Sequence, residues 1–571
     1  MLAWASAARR VGNLSILPVG GPRFWRAATR ARGRGFRFVA VLAALLVTVV
    51  VAADCSGAAS GSAPPDQRAA AAAAPTPVDP HATPPVITTA DGRVSGLRTG
   101  QLDRYHGIPF AAPPVGALRW SAPWPPAPWQ GVRDGTRTGP ACAQTGPLAL
   151  LSSEDCLYLS VARPGGAPLT GRLPVILYIH GGAFVGGTGE TFDPTGLVTG
   201  GPAIVVTTNY RLGPLGSLAL PSMGGDAGDF ALEDLIAALR WTRSNAAAFG
   251  GDPSNVTIMG ESAGSVNVCA LLAAPSASGL FERAIMDSGP CTWKLPTLAQ
   301  ASQSSLALAA KVGCPDPATA QACLRTRSAS ELMTAGADDT EIFNSFTYAP
   351  ATGGATLPLS PAQALWNGRL AHVPLLMGSI RDEGRPFTNH WAAYGPITAF
   401  GVDGLIRDHF PDRVDRVLAA YPAGQIPPRE RLARIITDDM FSCQTSRFAQ
   451  LTAGVTQQPT YVYEFDVPDA PPVSPEFGPG ATHGWDLDYL FPSTPSGQLT
   501  TPARRALSRA MIGYWTRFAA TGDPSGSGSD PSWPRLTVGA VHGGTDRMLL
   551  TPAKIAPVSG TWSAHHCDIW S

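Results

Sequence analysis

A short strand that runs through a glycine-flanked turn straight into an apolar helix leaves a chain few ways to fold. Asn255–Met259 (NVTIM) reads as the strand, Gly260-Glu261-Ser262-Ala263-Gly264 as the turn, and Ala263–Ala273 as the helix. Such a turn is so tight that the residues two before and two after the serine can carry almost no side chain. The serine is then thrust out above the strand end, and the positive end of the helix points at its oxygen. As a bare pattern in a glycine-rich chain the motif is weak. Its place between a buried strand and a helix gives it weight.

The surrounding chain alternates in the same way. Pro174–Ile179 (PVILYI) and Ala203–Asn209 (AIVVTTN) are short β-branched runs ended by turn residues. Phe230–Phe249 carries apolar residues at helical spacing and stops at Gly250-Gly251. Further strands are expected at Val373–Gly378 and Tyr461–Phe465. This alternation predicts an α/β fold: a mostly parallel sheet covered by helices on both faces. Thr292–Pro361 and the helical Ile406–Gln450 read as insertions that roof a site.

The first 85 residues have another character. Six arginines between Arg23 and Arg37 precede an apolar run of 16 residues, Phe38–Ala53. That order is the pattern of an export signal, and the run is short for a membrane span of about 20 residues. Residues 1–55 therefore read as an export signal or a signal-anchor, and an uncleaved anchor would tether the protein to a membrane. Cys55 stands where a bacterial lipoprotein carries its lipid, although Asp54 is a poor match to that signal. Residues 56–85, dominated by Ala, Pro, Ser and Gly, read as a tether too poor in apolar residues to fold. The folded body is expected over 86–571.

Lys+Arg and Asp+Glu balance at 42 each without a long run of one sign, so nothing points to nucleic acid as a partner. Nine cysteines in an exported chain imply disulfides. Cys142 and Cys156 bracket one short loop and Cys314 and Cys323 another, but spacing alone assigns no pairs.

A second motif adds chemistry to the serine. His180-Gly181-Gly182-Ala183-Phe184 follows the strand PVILYI. Small residues there let backbone N–H groups of Gly181, Gly182 and Ala183 point inward and join that of Ala263 as an oxyanion hole. His180 is read as an imidazole bonding the loop backbone, not as a general base.

Several widely separated segments then carry a specific resemblance. Glu154-Asp155-Cys156-Leu157-Tyr158-Leu159, Tyr105–Phe110 with Pro113–Gly116 and Leu118-Arg119-Trp120, Phe249–Pro253, Phe518–Pro524 and Cys567–Trp570 are among them. From about Val86 to Trp570 the chain resembles the type-B carboxylesterases, the family that includes cholinesterases and neuroligins. The resemblance implies an α/β-hydrolase fold and an exported serine esterase that works through an acyl-enzyme, on a small-molecule ester, without metal or cofactor. It also implies Ser262 as nucleophile. Glu383, in Asp382-Glu383-Gly384, would be the acid, and His483, in His483-Gly484-Trp485-Asp486, the base. Spacing alone leaves Glu383 and Asp382 undistinguished, and does not single out His483 among ten histidines.

The same resemblance makes Glu261 a residue that tunes the field at the histidine and Ser288 one that supports the acid. It suggests the bridges Cys142–Cys156, Cys314–Cys323 and Cys443–Cys567, with Cys269 and Cys291 left as buried thiols. Two departures stand out. Gly228–Leu235 lacks the Asn and Gln that many members carry near the ends of this segment, and the Cys142–Cys156 loop has no Trp. An aromatic platform for choline is therefore missing, and cholinesterase activity is not expected. A non-catalytic adhesion protein on the same fold, as neuroligins are, is the reading from another class. An amidase, lipase or thioesterase would use the same machinery.

Overall fold

The structure, a computed structural model, describes residues 82–570 except 338–345, 394, 493–497, 527–529 and 541–542. The arginine-rich stretch, the apolar run Phe38–Ala53, Cys55 and all but the end of the 56–85 segment lie outside the described residues. Among the described residues, no helix is long and apolar enough to cross a membrane.

Eleven strands form the main sheet: β1 (Leu97–Thr99), β2 (Leu102–Pro109), β3 (Tyr158–Pro164), β4 (Leu173–Ile179), β5 (Ile204–Thr208), β6 (Gly251–Glu261), β7 (Arg283–Asp287), β8 (Leu375–Ile380), β9 (Thr460–Phe465), β10 (Arg547–Leu550) and β11 (Ile555–Val558). Their order is 11-10-9-8-7-6-4-5-3-2-1. The block from β5 through β10 is parallel throughout. Both ends are antiparallel, β1–β2–β3 joined to β5 on one side and β11 on the other. The mostly parallel sheet that the alternation predicts is found, and its antiparallel strands lie at the two edges.

Period-two alternation explains how the sheet is covered. Val175, Leu177 and Ile179 of β4 enter one hydrophobic core, and Ile176 and Tyr178 enter the other. Helices α1 (Phe230–Asn245) and α2 (Ala263–Ala273) pack on the first face. In α1 the residues Leu232, Leu235, Ile236 and Leu239 are all buried, the spacing of one helical stripe. Further along the chain, α3 (Pro428–Ile436) and α4 (Cys443–Val455) also feed the first core, while α5 (Pro502–Thr521) fills the second with Met511, Trp515 and Phe518. With both faces covered, the free edge of the parallel block is the line where its strands end.

Eight described cysteines form four disulfides: Cys142–Cys156, Cys269–Cys291, Cys314–Cys323 and Cys443–Cys567. The second corrects the expectation of buried thiols. Helix α2 lies on β7, which brings Cys269 onto the turn that follows β7, with the two Cα atoms 5.1 Å apart. Both residues are buried as expected, but they are oxidised. Closing 22 residues constrains the unfolded chain by about 3 kcal/mol in the loop-entropy treatment. The double substitution Cys269→Ala/Cys291→Ala is expected to lower stability by about that amount. The shift of the urea midpoint measures it.

Candidate active site

The turn after β6 has the closeness its glycines demand. A Cβ on Gly264 would sit 2.1 Å from the carbonyl oxygen of Ile179, and one on Gly260 would sit 2.4 Å from Gly264. Between them Ser262 adopts φ 56° and ψ −123°, a strained conformation for a residue with a side chain. Its N–H donates to the carbonyl of Asp287 at the end of β7 (2.9 Å), which ties the turn to the neighbouring strand.

The His180–Phe184 loop folds against this turn. Ala183 and Phe184 both have positive φ (53° and 64°), and Gly182 has φ 110°. A Cβ on Gly181 would touch the Glu261 carboxylate and lie 3.1 Å from the Cβ of Ser262, so the loop backbone passes directly beside the serine. Among the described residues, the N–H groups of Gly181, Gly182, Ala183 and Ala263 donate to no protein acceptor. His180 is buried, bonds the carbonyl of Gly181 through Nδ1 (2.8 Å) and stacks on Tyr210. Burial pulls its pKa down to about 4, so the ring is neutral.

His483 Nδ1 donates to Glu383 Oε2 at 2.6 Å, and Glu383 is wholly buried. The other carboxylate oxygen, Oε1, accepts the N–H of Ile380 at the end of β8 (2.8 Å). Asp382, which spacing could not separate from Glu383, turns away and pairs with Arg385. The far side of the ring, Nε2, lies 3.3 Å from Glu261 Oε1. Burial opposes a charge on His483, yet the facing carboxylates of Glu261 and Glu383 push it up to about 9. Glu261 itself is pushed up to about 8 by burial, with the His483 ring pulling the other way.

Not every expected contact forms. Ser288 is buried with φ 52° and its N–H donates to Gly378, but its hydroxyl makes no hydrogen bond among the described residues. The contact expected with the acid is taken by Ile380 instead. Other residues join the site, and of these the sequence marks only Phe387, which stands just beyond the Asp382-Glu383-Gly384 motif. Phe387 and Phe441 flank the His483 ring at 4.9 and 5.2 Å between centroids. Trp293 packs on Phe441 and on Phe346, which in turn meets Phe184 of the glycine loop. Phe387 from the segment after the acid and Trp293, Phe346 and Phe441 from the two insertions thus form a wall of aromatic rings beside the histidine. No local spacing marks Trp293, Phe346 or Phe441, because they meet only through the fold. In the altered Gly228–Leu235 segment, Asp234 makes a buried two-pronged pair with Arg211.

A family model described as the carboxylesterase family matches residues 83–570. The chain belongs to that family. Para-nitrobenzyl esterase of Bacillus subtilis (strain 168) is 35% identical over 500 residues, covering 82% of this chain and 95% of its own. Fumonisin B1 esterase of Sphingopyxis macrogoltabida is 33% identical over 505 residues, with 82% and 88% covered. Neuroligin-2 of Mus musculus is 32% identical over 517 residues, 77% of this chain but only 61% of that protein. A solved PNB esterase structure superposes with a TM-score of 0.73 at 32% identity, covering 85% of this chain and 99% of that one. This carboxylesterase is accordingly a carboxylic ester hydrolase acting on small-molecule esters, built on the α/β-hydrolase fold.

Proposed function

We propose that Ser262, His483 and Glu383 form the catalytic triad of this carboxylesterase. The buried Glu383–His483 bond carries the reading, because it fixes the ring with Nε2 facing the strand end that bears Ser262. A serine hydroxyl is a poor nucleophile until a neutral imidazole takes its proton. Ser262 Oγ would attack the ester carbonyl while His483 Nε2 accepts that proton. The developing oxyanion would be met by the unbonded N–H groups of Gly181, Gly182, Ala183 and Ala263. Collapse releases the alcohol, which leaves with the proton from His483. Water then repeats the steps on the acyl-enzyme. The aromatic wall of Trp293, Phe346, Phe387 and Phe441 suits esters with a compact apolar group, and the named substrates of the relatives are a nitrobenzyl ester and fumonisin B1.

A fluorophosphonate probe followed by peptide mapping tests the nucleophile, and a p-nitrophenyl series from acetate to palmitate tests the pocket. Label on Ser262 with fastest turnover of short acyl chains is expected. A folded protein that takes no label and turns over no ester would be a binding protein on this fold.

The pH profile follows from the charges. His483 must be neutral to act as a base, so kcat/KM falls as pH drops through its pKa. Glu261 and Glu383 raise that pKa, which puts the acid limb above the 6.5 of an ordinary histidine. Glu261→Gln removes one of the two anions and should move the limb down by about one unit. A limb that stays in place would mean that Glu261 carries no charge in the working enzyme.

Four disulfides among the described residues fit an extracellular protein. We propose that residues 1–55 direct its export and that the Ala/Pro-rich 56–85 segment holds the catalytic body away from the cell envelope.

A further inference from the structure

Beneath the site, three buried side chains meet that the reaction above does not use. Tyr463 of β9 places its hydroxyl 2.8 Å from Asp287 Oδ1 and 2.9 Å from Asp486 Oδ2. All three are fully buried. Asp287 is the residue whose carbonyl holds the Ser262 N–H. Asp486 lies three residues beyond His483, and its carbonyl receives the N–H groups of Tyr489 and Leu490. The trio therefore spans from the strand end beside the nucleophile to the histidine loop.

Counting protons decides its state. A tyrosine hydroxyl has one proton to give, and a carboxylate has none. Tyr463 can donate to one of the two acids only, so the other bond needs a proton on a carboxyl. The surroundings say which. Asp486 faces the His483 ring and the N–H of Leu487, both of which favour its anion, against the charge of Glu383. Asp287 faces Asp486 and Glu261, two further acids, offset by Tyr463 and the Trp515 indole, and the buried Tyr178 hydroxyl stands near all three acids. The second oxygens of Asp287 and Asp486 alike make no hydrogen bond among the described residues, so the facing charges make the difference.

We infer that Asp287 is held as a neutral acid that donates to Tyr463, whose hydroxyl donates in turn to Asp486, and that this relay positions the His483 loop and limits the charge beneath the ring to a single anion. Burial agrees for Asp287, which it pushes well above the usual carboxylate range; it also pushes Asp486 up, to about 7, so the Asp486 anion belongs to the range above that pH. The inference rests on His483 being the base. Its consequence is that Asp486, not Asp287, adds to the proton affinity of the ring.

The test is the acid limb of kcat/KM for p-nitrophenyl acetate, measured on the whole chain and its variants. Asp486→Asn should move the limb down by roughly 0.5–1 pH unit, since the ring loses a neighbouring anion. Tyr463→Phe should move it the same way, because Asp486 without its donor keeps a proton. Asp287→Asn replaces a neutral donor by a neutral donor, so the limb should stay where the wild type has it. An Asp287→Asn limb displaced as far as that of Asp486→Asn would show that Asp287 is charged and overturn the relay. Should Asp287→Asn not fold, an unmoved limb in Tyr463→Phe overturns it equally. A wild type that neither takes a fluorophosphonate nor turns over ester would bring down the triad and the relay together. An active wild type with the wrong limb in Asp287→Asn brings down the relay alone.

Discussion

Replacing Ser262 by alanine is expected to reduce ester turnover by about 10⁵–10⁶-fold while leaving the thermal melt where it was. The loss is large because the acyl-enzyme route ends with the hydroxyl. What remains is the small acceleration that an oxyanion hole gives to attack by water. Stability should not suffer, since the Ser262 side chain makes no capping bond to the helix that follows. Alanine also pays the same strain at φ 56° that serine does. Kinetics with p-nitrophenyl acetate, alongside a melting curve, separate the two effects. Residual activity within tenfold of wild type would rule Ser262 out as nucleophile.

Glu383→Gln should be nearly as severe, about 10⁴-fold in kcat, although only an oxygen becomes an NH₂. The reason lies in the second bond of Glu383. Its Oε1 accepts the N–H of Ile380, so a glutamine would turn its carbonyl that way and present its NH₂ to His483 Nδ1. The ring then has to accept at Nδ1 and carry its proton on Nε2, the nitrogen that should receive the proton from serine. Wrong tautomer, not lost charge, is the dominant penalty. Fluorophosphonate labelling slowed in parallel with kcat, in a protein with an unchanged melt, is the expected pair of observations. A drop of less than tenfold would show that Glu383 does not set the tautomer.

Much of the fold could be read before any coordinates. The helix after the nucleophile was expected at Ala263–Ala273 and is found there. Strand β8 was expected from Val373 but starts at Leu375, because Pro374 has no N–H to give a ladder. Strand β6 is longer than its apolar stretch Asn255–Met259; its first residues pair across an irregularity that contains Pro253. The antiparallel edge was missed for a plain reason. Leu102–Pro109 carries Asp103, Arg104 and His106 and does not read as an apolar run, although its fellow strands bury it. Several motifs that carried the resemblance turn out to be parts of this edge, Tyr105–Pro109 in β2 and Tyr158-Leu159 in β3.

Ser262 and the glycine loop are readable from strand, turn and helix alone, whereas Glu383 and His483 are expected only through the resemblance. No residue pattern tells that Glu383 faces the histidine while its neighbour Asp382 faces Arg385, since two adjacent carboxylates at a strand end differ only in which way the chain turns. Cys291 gave no local sign of its partner, which lies one helix away. Tyr463 was hidden in the regular alternation of β9, where a tyrosine is an ordinary core residue. Residues whose role is defined by a distant partner leave no mark in nearby sequence.

The parallel strands all finish along one line, and the groups discussed above hang from that line. Glu261 ends β6, Asp287 ends β7 and the Ile380 that steadies Glu383 ends β8, whereas Trp293, Phe346 and Phe441 come from the insertions. Chemistry and selectivity therefore have separate anchors. The separation is not complete, because Thr437 of the second insertion accepts the N–H of Gly384 beside the acid and Ser442 meets Ser379 of β8. A designer seeking a new ester preference can recut Trp293 and Phe346 together and leave Phe441, which packs on the His483 ring, in place.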